Sequence, residues 1–408
     1  QCTYRDVYGL QICEVRVAVT TLDEGAPSTR VQTLRLAGAG VSLIAVCYGL
    51  ARFAYGLFVP AFRDEFALDA TVIGVIAAGS YVSYCVAIAV TTVLIPRWGS
   101  RSLVVVAGGL ATVGTALVAV APHGVMLAVG VIVAGASTGV ASPPLAHAVA
   151  HAVPAKDRDR IQAVVNAGTG AGVAVAGPIA LLVRDQWRIG WLTFAVLCAV
   201  VTIWAAVVVR TPDPREPMPR EMLPRPLLPP GGAHLLVAAA TMGLSSSAIW
   251  TFGREMLVTE GGQSERFSLV AWILLGACGL AGAAAGDAIG RLGLRRAWQF
   301  VAVLLAATTG LLAAWPEIAG AWAMLAVFGA SYIALTGIVL IWGSRIYGRT
   351  PAAGVGLSFL VFALGQALGA PLIGLVAQLA GLPIAFGVAA AVAVIGAVLA
   401  PRRSLEGG

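Results

Sequence analysis

Charge is what this chain of 408 residues lacks most: Asp, Glu, Lys and Arg make up only 11% of it, against about 25% in soluble domains. Lys156 is the only lysine, so no phosphate-cradling G-x-x-x-x-G-K-[ST] loop exists, which excludes ATP-driven pumping by this chain alone. The six cysteines, Cys2, Cys13, Cys47, Cys85, Cys198 and Cys278, form no C-x-x-C and have no histidine at a metal-ligand spacing. Neither a zinc site nor a disulfide framework is indicated, and no metal or cofactor is expected. No acid falls in the middle of a long apolar run, so the paired carboxylates, nucleophile or metal cluster of an intramembrane enzyme are lacking too. What the chain does have is 59% hydrophobic residues. A single core stops growing near about 250–300 residues, so much of this apolar surface must face lipid.

A transmembrane helix needs about 20 mostly apolar residues, and the gaps between charged residues fall into units of that size. Residues 70–96, 161–183, 189–209, 226–253, 267–286, 297–316 and 318–344 are each uncharged for 20 to 28 positions. Residues 102–155 and 350–401 are uncharged for 54 and 52 positions, each broken midway by turn formers, Ala121-Pro122-His123-Gly124 and Ala380-Gly381-Leu382-Pro383. Each reads as a helical hairpin. With residues 37–60, apolar apart from Arg52, this gives twelve spans, numbered here 1 to 12 in chain order.

An even count puts both termini on one side. Most of the 26 bases fall on that side if the N-terminus is cytoplasmic, as the positive-inside bias requires. Arg97 and Arg101, then Lys156, Arg158 and Arg160, then Arg291, Arg295 and Arg296, then Arg345 and Arg349, then Arg402 and Arg403 sit in short clusters between spans. Nucleic-acid binding would need the bases pooled on one face with stacking aromatics, so no nucleic-acid partner is expected. A multi-pass protein of the cytoplasmic (inner) membrane is. Residues 1–35 are polar, mixed and without a secretory signal pattern, and read as a cytoplasmic tail.

The two halves repeat. Gly135-Ala136-Ser137 in span 4 returns as Gly329-Ala330-Ser331 in span 10, an offset of 194. The sequence from Arg97 to Arg101 after span 2 returns as Arg291 to Arg295 after span 8 at the same offset. Ala176-Gly177-Pro178 in span 5 matches Gly369-Ala370-Pro371 in span 11 at 193. Between the halves, prolines from Pro212 to Pro230 forbid a continuous helix. The expected organisation is a tail (1–35), a six-helix bundle (36–209), a cytoplasmic linker (210–232), a second six-helix bundle (233–400) and a short cytoplasmic tail (401–408).

With these features the chain resembles the major facilitator superfamily, and Gly49-Leu50-Ala51-Arg52-Phe53-Ala54-Tyr55 in span 1 is similar to its poorly characterised YbfB-like branch. The resemblance covers roughly residues 37–400 and implies an all-α integral membrane fold of two pseudo-symmetric six-helix bundles around a central cavity. It also implies movement of small solutes by alternating access. The superfamily's loop motif, broadly G-x-x-x-D-R-x-G-R-R, is matched after span 2 by Arg97, Gly99 and Arg101, with Pro96 in place of the acid. After span 8, Gly286, Arg291, Gly293 and Arg295 match, with Arg296 next to them, Gly290 at the acid's position and Asp287 nearby as a partial substitute. These residues are the expected cytoplasmic latch. The antiporter motif of drug exporters in span 5 is poorly met, since Val173, Leu181 and Leu182 replace three glycines. Gly168, Gly170, Gly172 and Gly177 therefore read first as small residues that let helices approach closely.

Arg52 is the most informative residue, because an Arg at mid-bilayer costs about 2.5–3.5 kcal/mol even on the lenient insertion scale. Tyr48, Arg52 and Tyr55 lie at i, i+4 and i+7 and so share one helical face. A guanidinium fork beside two phenols suits an organic carboxylate; the alternative is an Arg satisfied by helix carbonyls or snorkelling outward. The resemblance implies that spans 4, 7 and 10 also line the cavity, which makes Ser137, Thr138, Trp250, Ser331 and Tyr332 candidates for solute contact. Arg254 and Glu255 at the outer end of span 7 fit three roles: solute binding, an external gate, or a marker of the membrane surface.

The sequence therefore leads to a secondary carrier of a small organic, carboxylate-type anion, proton-coupled or working by exchange, functional as a monomer in the lipid bilayer. The competing readings are an exporter of hydrophobic drugs or metabolites and, further off, a non-transporting membrane sensor.

Overall fold

Alternating charge and apolar runs become helix after helix, because in lipid every backbone N–H and C=O must be satisfied within its own segment. The computed structural model describes residues 26–154, 157–183, 186–209, 226–317, 320–348 and 350–401. The expected tail up to residue 25, most of the linker, Lys156, Arg349, Arg402 and Arg403 lie outside the described residues, as does the side chain of Asp287. Among the described residues, ten helices are long and apolar enough to cross a membrane. One of them, Ala70–Ala119, has 50 residues and contains Gly99 at φ 71°, ψ 165°, so it is two spans joined at a sharp turn. Leu382–Val398, of 17 residues, is the shorter last span. Twelve crossings result, as the charge gaps indicate.

Three boundaries differ from the sequence reading. Helix starts at Ala26 rather than after residue 35, with Pro27 near its beginning, where a missing N–H costs nothing. Span 7 starts at Gly232, because Pro229, Pro230 and then Gly231 at φ 85° hold the chain out of helix. At its other end a π-helical turn, Met256–Glu260, extends span 7. That extension puts Arg254 and Glu255 inside the helix instead of at its tip.

Within each half the helices pair alike: spans 1 with 5, 2 with 4 and 3 with 6, then 7 with 11, 8 with 10 and 9 with 12. Spans 2 with 11 and 5 with 8 join the halves. The duplication extends to backbone detail. Gly99 and Gly293, 194 positions apart, hold the same conformation, φ 71°, ψ 165° and φ 78°, ψ 158°. Gly49 and Gly243 are related by the same offset and serve the same packing role. A Cβ on Gly49 would overlap the backbone of Gly172 in span 5, and one on Gly243 the backbone of Phe362 in span 11. Small residues at these crossings let helices pack by backbone contact, since lipid supplies no hydrophobic drive between them. The outward surface is aliphatic, with Leu182, Val207, Leu379 and Val398 among its most exposed residues. Large aromatics such as Trp191, Trp272, Trp298 and Trp342 are fully buried between helices.

Candidate functional site

Span 1 is not a uniform α-helix. Ala26–Ile44 and Ala54–Phe66 are α-helical, and Ala45–Phe53 between them is π-helical. Such stretches are rare and concentrate at functional sites. This one carries Tyr48, Arg52 and Phe53. Only 6% of Arg52 is exposed, so its guanidinium is removed from water in the protein interior.

No carboxylate pairs with Arg52 among the described residues; aromatic rings surround it instead. Its Cζ lies 4.7 Å from the ring centres of both Tyr81 and Tyr84 in span 2, 5.2 Å from Phe53 and 5.8 Å from Tyr48. A desolvated cation–ring contact is worth up to about 2 kcal/mol, so these rings offset much of the burial cost without cancelling the charge. Arg52 Nη2 donates to Gln366 Oε1 in span 11 at 3.1 Å, and Gln366 Nε2 donates to Tyr332 Oη in span 10 at 3.2 Å. Arg52 Nε is buried without a partner. A chain of polar contacts thus runs from the first half to the second through a buried cation at mid-span.

The candidates from spans 7 and 10 join this cluster. Trp250 stacks on Phe53 with ring centres 4.0 Å apart, and forms a T-shaped pair with Tyr332 at 5.0 Å. Its Nε1 is also buried and unpartnered. Ser331, buried, precedes Tyr332 on span 10. Tyr48 Oη shares a hydrogen bond with Ser142 Oγ of span 4 at 2.8 Å. Three candidates are placed otherwise. Tyr55 Oη donates to Ile73 O at 3.1 Å and its ring packs on Phe62, so the π-helical turn, which alters the period on which the shared face was reckoned, leaves it outside the rings around Arg52. Ser137 and Thr138 bond back to their own helix, to Ala134 O at 2.5 Å and Gly135 O at 2.7 Å.

Sequence reasoning missed Gln366, Tyr81, Tyr84, Phe53 and Ser142. Gln366 carried a usable signal, a neutral amide in the middle of an uncharged run, which reads as costly at bilayer depth for the same reason as Arg52. Tyr81 and Tyr84 share a helix face but carry nothing that separates them from core aromatics.

A second cluster lies at the end of the molecule away from the termini. Arg63 at the end of span 1 pairs with Glu255 of span 7, whose side chain is 1% exposed, and Glu255 Oε2 is buried without a partner. Arg254 donates to Leu57 O of span 1 at 2.7 Å and to Ser268 Oγ of span 8 at 3.1 Å, and pairs with Glu265 at 3.0 Å. Arg254 and Glu255 therefore tie the two halves together at this end rather than lying at the surface. At the opposite end Arg97, Arg101, Arg291 and Arg296 are exposed, and Arg295 Nη1 reaches Pro401 O at 3.4 Å. Ser100, between Gly99 and Arg101, bonds His147 Nδ1 of span 4 at 3.0 Å. The span 5 glycines pack as close-approach residues: Gly172 against Ala45 O of span 1, Gly177 against Ile273 of span 8.

Comparison with known proteins agrees with this architecture. The chain is 26% identical over 298 residues to the "Transcription regulatory protein OpdE" of Pseudomonas aeruginosa, covering 70% of this chain and 72% of that protein. Its fold matches the nucleoside transporter NupG (D323A mutant) with a TM-score of 0.74 at 11% identity, over 90% of this chain and 98% of that one. It matches a D-xylose-proton symporter with a TM-score of 0.71 at 14% identity, over 90% and 96% of the two chains. The sequence pattern of the Major Facilitator Superfamily extends over residues 41–355, and with twelve spans in two like halves the chain belongs to that superfamily, as a multi-pass secondary transporter of small solutes.

Proposed function

We propose that this transporter carries a small organic carboxylate and that Arg52 is the anchor for the anion. The observation that supports this most is the state of the guanidinium: buried, facing span 11 across the middle of the molecule, ringed by aromatics and unpaired with any described carboxylate. A carboxylate takes two N–H groups of the Arg fork at once, a geometry that a sugar hydroxyl or an apolar drug cannot supply. Tyr48, Trp250, Tyr332 and Ser331 complete the wall in this reading, with Gln366 added. Tyr55, Ser137 and Thr138 support the wall from behind.

Transport follows from rocking residues 36–209 against 233–400 around that anchor. Arg63, Arg254 and Glu255 close the outer end. The loops with Arg97, Gly99, Arg101, Asp287, Arg291, Gly293, Arg295 and Arg296 work the cytoplasmic end. Charge balance over a fixed cation is met either by proton symport or by anion exchange. The placement of the Arg clusters supports cytoplasmic termini in the inner membrane, and one chain supplies the residues of both halves to the cluster around Arg52, so a monomer suffices.

The test is a thermal-shift screen of purified protein against carboxylic acids and lipophilic cations. At least one acid is expected to raise the unfolding temperature, and Arg52→Ala is expected to abolish that shift. If Arg52→Ala leaves the shift and uptake into liposomes intact, the anchor assignment fails. Stabilisation by lipophilic cations alone favours the exporter reading. A second reading rests on the name of the Pseudomonas relative, a regulatory protein: a carboxylate that binds but is not moved across liposomes would make this chain a sensor.

A further inference from the structure

The anion reading leaves open what the rest of the solute is, and the cluster around Arg52 bears on that. We infer that the preferred solute is a planar aromatic carboxylate, its acid group on the Arg52 fork and its ring inserted among Phe53, Trp250 and Tyr332. This rests on the anion reading above and narrows it.

Two observations carry it. The first is the state of the fork. A carboxylate binds an Arg side-on through Nε and Nη2. Here Nη2 is held by the Gln366 amide oxygen while Nε is buried and bare. Gln366 offers one sp² oxygen where a carboxylate offers two, so an incoming acid satisfies both donors and displaces the amide, which keeps its own bond to Tyr332 Oη. The second is the material next to that fork. Phe53 links the two parts of the cluster: its ring is 5.2 Å from the guanidinium on one side of the contact chain and 4.0 Å from Trp250 in the stacked partner. Tyr332 stands edge-on to both Phe53, at 6.2 Å, and Trp250, at 5.0 Å. A flat ring can replace these ring–ring contacts with equivalent ones as it enters, because stacked and edge-on partners reward the same quadrupole geometry. A saturated ring has no quadrupole and regains only contact area. The indole Nε1 of Trp250, a second buried donor without a partner, further favours a ring bearing an acceptor oxygen.

A pair of acids of nearly equal size separates this inference from simple greasiness. Cyclohexanecarboxylate is the more hydrophobic and benzoate the more planar, and both are ionised at neutral pH. Binding to the purified full-length protein is measured by calorimetry with benzoate, cyclohexanecarboxylate, acetate and uncharged benzyl alcohol. The expected result is benzoate binding about three- to tenfold more tightly than cyclohexanecarboxylate, the range that one or two aromatic contacts supply, with benzyl alcohol and acetate far weaker. Trp250→Leu is expected to remove the benzoate preference, while Trp250→Phe retains most of it; if Trp250→Leu does not fold, the wild-type series decides alone. Cyclohexanecarboxylate binding as tightly as benzoate, with both lost in Arg52→Ala, overturns the aromatic inference and leaves the anion reading standing. Benzyl alcohol binding as tightly as benzoate, or no acid binding at all, removes the anion reading and this inference with it.

Discussion

Arg254 and Glu265 form an ion pair whose two members differ in environment, and the difference sets what each contributes. The side chain of Glu265 is 61% exposed and that of Arg254 only 5%. An exposed partner is screened and solvated in either state, so such a pair contributes about 0–1 kcal/mol. Arg254 also satisfies Leu57 O and Ser268 Oγ, and stranding buried acceptors costs about 1–3 kcal/mol. Thermal unfolding in detergent should therefore show little change for Glu265→Ala and a loss of about 2–3 kcal/mol for Arg254→Ala. Equal effects from the two variants would mean that the surface pair, and not the bond to span 1, is what counts. Residues of this kind differ in how far a sequence exposes them. Arg52 was legible because a lone charge inside an apolar run is rare and costly. Gln366 leaves a weaker signal, an amide inside a charge gap that it does not break, and Arg63 leaves none, because an Arg just past a span resembles any loop base. That Arg63 reaches Glu255 depends on how spans 1 and 7 are set side by side, which no local pattern encodes.

At the scale of the element, the glycine turns after spans 2 and 8 are more demanding than any helix interior. Gly99 and Gly293 occupy positive φ with extended ψ, a region that is essentially closed to residues with a Cβ and costs about 1–3 kcal/mol when forced. Gly109, inside span 3, has open space where a Cβ would stand, and Ala there gains up to about 1 kcal/mol in helix propensity. Gly99→Ala and Gly293→Ala are each expected to lower the unfolding temperature in detergent, and Gly109→Ala to leave it level or raise it. A stable Gly99→Ala protein would show that the turn tolerates another backbone path. These turns could be placed from sequence, because the Arg-x-Gly-x-Arg repeat recurs at the offset that relates the halves. The π-helical stretch Ala45–Phe53 could not. It begins where Gly172 of span 5 meets the backbone of span 1 at Ala45, a contact across 120-odd residues of chain that no local pattern encodes. The face that α-helical spacing assigns to Tyr48, Arg52 and Tyr55 does not survive this change of period, and only Tyr48 and Arg52 stand together.

At the scale of the molecule, the halves meet closely at the end away from the termini. Thr71 of span 2 hydrogen-bonds Gln378 of span 11, Gly74 and Gly374 bring the same two helices into backbone contact, and Arg63, Arg254 and Glu255 join spans 1 and 7. Alternating access requires all of these to part in every cycle, since solute cannot enter from that side while spans 2 and 11 touch. Individually the contacts are modest, about 1 kcal/mol for an ordinary hydrogen bond and about 1.5–3 kcal/mol for one to a charged group, which suits a seam that must open on the timescale of domain rocking, about microseconds to milliseconds. A covalent link at the same place would be far too strong to part. Thr71→Cys combined with Gln378→Cys, joined by a short bifunctional thiol reagent, is expected to abolish solute exchange in liposomes while leaving solute binding from the opposite side intact. A reducible linker should restore exchange when cleaved. Of the cysteines among the described residues, Cys47, Cys85 and Cys198 are buried and Cys278 partly so, and the unsubstituted protein treated with the same reagent accounts for all six of the chain. If the linked protein still exchanges solute at the normal rate, spans 2 and 11 do not separate during transport, and the solute crosses by a path other than the seam between the halves.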